Sequence, residues 1–224
     1  MNTAFEKKKF RILPAYGWLP IIGMAVTHLT VYYGTKLINS GMPHHDLSLP
    51  FEAQIPFAPE WTIIYVLTFL FWVGGMIFTA WQKEELCYKL SMAAMISYLM
   101  CAVIFLVLPT TIERPEITGT MYYDRLLRAM YDSDIPTNIF PSMHCMMSYL
   151  IFRGMTKSPG MKKGYMWAAG ILVVLISAST VFVRQHYFVD TVAGIVLGEI
   201  ALQISCRTKL WHLLEKLNKK LLHC

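Results

Sequence analysis

Charge is scarce in this chain. Only 15% of its 224 residues are Asp, Glu, Lys or Arg, against about 25% in an ordinary soluble domain. That argues against a soluble enzyme. The composition also excludes disorder, collagen and coiled coil, and neither an internal repeat nor a low-complexity segment occurs. The five cysteines (Cys87, Cys101, Cys145, Cys206 and Cys224) follow no metal-ligand spacing, and their number is odd. They read as free thiols, which excludes a disulfide framework.

Apolar residues are abundant instead. They make up 55% of the chain, the mean hydropathy is +0.44, and they come in long blocks. About 20 apolar residues cross a bilayer core. The blocks predict six transmembrane helices near 14–37, 61–81, 90–109, 140–155, 165–183 and 187–206, in an all-α polytopic membrane bundle. The first block reads as a retained span, because it is long and lacks a small-residue cleavage site. Residues 1–224 then form a single membrane domain.

The net charge of +6 would suggest nucleic acid in a soluble protein. Here the cations sit at the ends of the apolar blocks, and no nucleic-acid partner is expected. All but five of the 20 Lys and Arg fall in the N-tail, the 82–89 and 153–164 loops and the C-tail. The five on the other side are Lys36, Arg114, Arg125, Arg128 and Arg184. By the positive-inside rule both termini are cytoplasmic. In the tail 208–224, Leu210, Leu214, Leu217 and Leu221 share one helical face. That suits an amphipathic helix lying on the inner leaflet, although a frayed basic tail fits equally well.

The outer segments carry the rare polar groups. Arg114 lies in PTTIERP (109–115) at the end of the third span, NIFPSMHC (138–145) opens the fourth, and STVFVRQHYFVD (179–190) forms the turn between the last two. All three meet one boundary. His186 and Asp190 are four apart, which puts carboxylate and imidazole on one helical face. The Asp can hold one ring nitrogen and leave the other free to attack; a pair that merely caps the helix is the bland alternative. His144 follows Pro141-Ser142 at a helix start, where backbone N–H groups favour an anion. A positioned nucleophile, a second His as acid, two Arg and a helix N-terminus are what phosphoryl transfer needs.

At these residues the chain resembles the type-2 phosphatidic acid phosphatase and vanadium haloperoxidase superfamily, whose motifs are Lys-x6-Arg-Pro, Pro-Ser-Gly-His and Ser-Arg-x5-His-x3-Asp. The wording PT-x3-RP, FPS-x-H and ST-x5-H-Y-x2-D, together with IPFAPEW (55–61), is similar to the inositol phosphorylceramide synthase branch. The resemblance implies that His186 is the nucleophile and forms a phosphohistidine. It implies that Asp190 orients His186 and that His144 protonates the leaving alcohol. Arg114 and Ser142 would bind phosphate oxygens.

Two motif cations are absent: the Lys falls at Val107 and the Arg at Thr180. Arg184 is expected to replace one of them, so that Arg184→Ala costs on the order of 100-fold in turnover. The implied activity is hydrolysis of a lipid phosphomonoester or pyrophosphate at the extracytoplasmic face, most simply of the plasma membrane. It needs no cofactor and no metal. Three alternatives stay open: a phosphotransferase using an alcohol acceptor, an inactive membrane scaffold, and a Ser142 hydrolase.

Four smaller features complete the reading. Glu199 and His28 lie mid-span and need partners, and each is a candidate for the other. Gly194 and Gly198 form a small-residue packing face. Tyr123, Leu127 and Met130 suggest a short amphipathic lid, and a half-buried loop helix fits the spacing equally well. His44-His45-Asp46 reads as solvated rather than metal-binding.

Overall fold

The computed structural model describes residues 12–222. Lys7, Lys8, Lys9, Arg11 and Cys224, used above, lie outside them. The described residues are dominated by helices: α1 (Trp18–Asn39), α2 (Thr62–Gln82), α3 (Glu84–Val107), α4 (Tyr122–Ser133), α5 (Met143–Thr156), α6 (Lys163–Phe182), α7 (Phe188–Thr208) and α8 (Trp211–Leu222). Four are long and apolar enough to cross a membrane: α2 with the turn before it, α3, α6 and α7. The other two predicted spans are weaker for physical reasons. Thr27, His28, Thr30, Thr35 and Lys36 dilute α1. The 14 residues of α5 reach only about 21 Å, short of the roughly 30 Å core.

The all-α expectation misses one small element. β1 (His45–Asp46) and β2 (Thr110–Thr111) pair in parallel, with His45 opposite Thr110. They tie the long loop between α1 and α2 to the end of α3. Thr111 also bridges to Thr137, so the segment leading to α5 is fastened at the same place.

α5 is the axis of the bundle. Met143, Met146, Met147, Leu150 and Ile151 are all buried, in one core with Met76, Leu90, Ala94, Phe105 and Leu202. Unbranched Met side chains fill the irregular gaps between crossing helices. Two glycines set how closely its neighbours approach. A Cβ on Gly75 of α2 would lie 2.2 Å from Ile151 Cγ2, and one on Gly194 of α7 would lie 2.3 Å from the Ser142 carbonyl oxygen. Gly198 meets the Met146 carbonyl in the same seam, as the small-residue face predicts.

The short helix α4 is amphipathic. It buries Leu127 against Tyr65 and Val183, with Met130 and Tyr131 alongside. α8 does not present all four predicted leucines on one free face. Leu214 and Trp211 turn inward against Tyr88, and the Asn218 amide donates to Tyr88 Oη (2.6 Å) and the Tyr16 carbonyl (2.9 Å). Leu210, Leu217 and Leu221 stay exposed, and Leu213 joins them. Glu199 and His28 do not pair. Glu199 accepts from Tyr149, Gln203 and Arg153, whereas His28 packs on Tyr32 and Tyr98.

Candidate active site

His186 sits in the short turn between α6 and α7. The N–H groups of Gln185 and His186 both donate to the Thr180 carbonyl, at 2.9 and 3.0 Å. Arg184 closes the turn with φ +48°, a left-handed conformation that non-glycine residues seldom adopt.

Opposite lies the strand-like run before α5. The Ile139 and Phe140 N–H groups donate to Thr110 Oγ1, at 3.0 and 2.9 Å. Asn138 is pinned to α1 through Thr35 and Asn39. This anchoring aims the Ile139 carbonyl at His186, whose Nδ1 lies 3.0 Å from it. A carbonyl can only accept, so in the neutral ring the proton sits on Nδ1 and Nε2 keeps its lone pair.

Asp190 was expected in that orienting position, and here the structure departs from the sequence reading. Its Oδ2 is 3.6 Å from Nδ1 and accepts the Tyr187 N–H at 2.8 Å, capping α7. Its backbone carbonyl accepts the Ser142 N–H at 3.0 Å. Its Oδ1 is buried without a partner among the described residues. Asp190 therefore fastens the starts of α5 and α7 to each other, while Ile139 holds the imidazole.

His144, one turn into α5, faces His186 with ring centroids 5.8 Å apart. Tyr65, Phe69 and Trp72 of α2 surround it at 4.6, 5.8 and 5.2 Å. Tyr65 Oη is 3.4 Å from Nδ1, and Nε2 has no partner among the described residues. Both histidines line a cavity of about 370 Å³. Its walls include Tyr32 of α1, Asp134 beyond α4, and Gln185. No Lys or Arg is on the wall.

The three predicted phosphate-binding residues fare differently. Ser142 is fully buried and spends its Oγ as the N-cap of α5, accepting the Cys145 N–H at 3.3 Å; it is off the cavity wall. Arg114 stands just behind the wall. Its guanidinium donates to the carbonyls of Tyr131 (3.2 Å) and Asp134 (2.5 Å) and to Gln185 Oε1 (2.9 Å), with its face on the Tyr131 ring. Burial pulls the Arg114 pKa down, opposed by the nearby Asp134.

Arg184 does not replace a motif cation in this cavity. It reaches the other way, to the carbonyls of Ile55 (2.8 Å) and Glu52 (3.3 Å), in a separate groove beside Asp46 and Tyr187. The left-handed turn that presents His186 inward sends Arg184 outward. Among the described residues no group of three His, Cys, Asp or Glu could hold a metal ion. Asp46 instead bonds Tyr187 Oη at 2.5 Å and the Ser48 N–H at 2.8 Å.

Gln185, Tyr65, Trp72 and Asp134 escaped the sequence reading. The spacing of Tyr65, Phe69 and Trp72 puts all three on one face of α2, which was a usable signal. Nothing local marked Gln185 or Asp134.

The comparisons bear on the same segment. A family model of the PAP2 superfamily matches residues 44–204, from just before β1 nearly to the end of α7. No curated protein and no solved structure matches the chain. With most of its length matched, and with the fold and the paired histidines described above, the chain belongs to the PAP2 superfamily.

Proposed function

We propose that this protein is a membrane-bound lipid phosphatase that works through a phosphohistidine. Its family brings phosphatase or phosphotransferase chemistry on phosphate esters. The observation that carries the reading is the pair of histidines on one cavity wall, with His186 Nδ1 held by the Ile139 carbonyl and Nε2 left free. His186 Nε2 attacks phosphorus while the P–O bond to the lipid alcohol breaks, and His144, in its protonated form, gives its proton to that oxygen. His144 then takes a proton from water, whose oxygen displaces Nε2 and releases phosphate. Arg114, behind Gln185, offsets the phosphate charge.

The membrane setting belongs to the same proposal. α1 and α5 join the four long helices as six spans, with both termini cytoplasmic and the site facing the extracytoplasmic side of the plasma membrane. The charge asymmetry of the loops supports this orientation. The exposed leucines of α8, beside Lys216, Lys219 and Lys220, suit the inner leaflet.

One observation favours a second reading. With no Lys or Arg on its wall, the cavity suits a phosphodiester of one negative charge better than a phosphomonoester of nearly two. That points to transfer of a phospho-headgroup to an alcohol, as in the inositol phosphorylceramide synthase branch.

The test uses purified protein in mixed micelles without added metal. Phosphate release from phosphatidic acid, phosphatidylglycerophosphate or a polyprenyl pyrophosphate, abolished by His186→Ala, would support the phosphatase. Silence there, with His186-dependent transfer from phosphatidylinositol to an acceptor lipid, would replace it with the transferase. Silence in both assays would sink both and leave an inactive scaffold.

A further inference from the structure

Three positions that could have brought positive charge to the His186 cavity do not. Val107 is exposed on the outside of α3, Thr180 is buried among Cys145 and Thr191, and Arg184 points into the neighbouring groove. Arg114 is close but spends its Nη atoms on the Tyr131 and Asp134 carbonyls and on Gln185. A phosphate in this cavity therefore needs another donor.

Gln185 is next to His186, only 4% exposed, and on the cavity wall. Its backbone N–H is taken by the Thr180 carbonyl. Its Oε1 accepts from Arg114 Nη2 at 2.9 Å. Its amide nitrogen, with two N–H groups, forms no hydrogen bond among the described residues. A guanidinium bonded to the amide oxygen draws electron density through the amide and sharpens those N–H groups as donors.

We infer that the Gln185 side chain is a phosphate-binding group of this site: its Nε2 donates to a phosphate oxygen of the substrate, carrying the pull of the buried Arg114 into a cavity that holds no cation. It touches the substrate, so it is a catalytic residue and not merely a tether for Arg114. A neutral donor backed by a charge suits a site opening into an apolar, aromatic wall, because no ammonium or guanidinium has to be desolvated there.

This rests on the proposed phosphoryl chemistry, and the experiment separates the two. Gln185→Glu and Gln185→Met are assayed in micelles beside wild type and His186→Ala, with phosphatidic acid and with phosphatidylinositol plus acceptor. Glu keeps, and even strengthens, the bond to Arg114 but offers no N–H. The expected result is unchanged thermal stability for Gln185→Glu with a roughly 100-fold loss of turnover, as for one lost donor. Turnover within about threefold of wild type would reduce Gln185 to a tether and overturn the inference. Wild-type turnover that ignores His186→Ala would instead overturn the phosphohistidine reading.

A second measurement needs no folded variant at residue 185. The chain has four glutamines. In protein selectively labelled with 15N-glutamine, replacing Gln54, Gln82 and Gln203 in turn assigns the remaining side-chain pair to Gln185. Orthovanadate, a phosphate mimic, should move that pair downfield in otherwise wild-type protein. A pair that stays put at saturating orthovanadate, while vanadate still inhibits, overturns the inference.

Discussion

Gly194→Ala is a single-methyl test of how the two histidines are held together. α7 carries His186 just before its start, and α5 carries His144 in its first turn. The two helices touch where Gly194 meets Ser142. A Cβ there would lie 2.3 Å from the Ser142 carbonyl oxygen, 3.2 Å from its carbonyl carbon and 3.3 Å from the Met146 nitrogen. All three are backbone atoms, and the carbonyl already accepts the Met146 N–H inside α5. No side chain can swing away, so the helices must part by about 1 Å to restore ordinary contact. Overpacking of this kind costs about 1–3 kcal/mol, or a fall in Tm of roughly 2–12 °C for a chain of this size. A 1 Å misplacement of reacting groups costs on the order of 100-fold. The assay is thermal unfolding and His186-dependent turnover in the same micelles. Gly164→Ala is the control, since nothing lies within 4 Å of its Cβ. A Gly194→Ala protein with wild-type Tm and turnover would show that the α5–α7 seam does not set the geometry of the site.

Asp190→Asn should keep turnover within about tenfold, because the Ile139 carbonyl holds the His186 proton on Nδ1 and an Asn oxygen can still accept from Tyr187; a loss near 10⁴-fold, as when a catalytic carboxylate sets the tautomer, would refute this. Arg184→Ala should lower thermal stability, since the Ile55 carbonyl loses its donor and the Glu52 carbonyl keeps only the Ile55 N–H, and leave turnover per folded molecule within a few fold; a 100-fold loss would return Arg184 to the site. Burial would raise the Asp46 pKa, but hydrogen bonds from Ser48 and Tyr187 outweigh it and hold Asp46 below its ordinary value. The stability this adds is present above the ordinary carboxylate pKa and is lost as pH falls through the lowered folded value. Protease cleavage of the loop between α1 and α2 should therefore rise on acidification, and Asp46→Asn should flatten that dependence.

The helical character was legible in the apolar blocks, because a bilayer leaves helices few rivals. α4 was legible from Tyr123, Leu127 and Met130, and the packing face of α7 from its two glycines. The pair of histidines was legible because each sits at a fixed offset from a helix start. What sequence spacing could not reveal is where a side chain turns in a left-handed residue. Arg184 and His186 are two apart, and the turn sends them to different cavities. Nor could spacing reveal a backbone carbonyl as the partner of His186: Ile139 matters through an atom every residue has, placed by β2 and Thr110. The leucines of the tail share out differently for a similar reason, since Tyr88 of α3 draws Leu214 inward.

The family match begins at residue 44, yet α1 ends at Asn39 and supplies one side of the cavity through His28, Leu29, Tyr32 and Tyr33. Lys36 of the same helix forms an ion pair with Asp134, at the end of α4. Part of the cavity wall thus lies outside the matched segment, whereas both histidines lie within it. α1 therefore does two jobs at once: Tyr32 and Tyr33 bound the space of the cavity, while Thr35 and Asn39 hold Asn138 and, with it, the Ile139 carbonyl that faces His186.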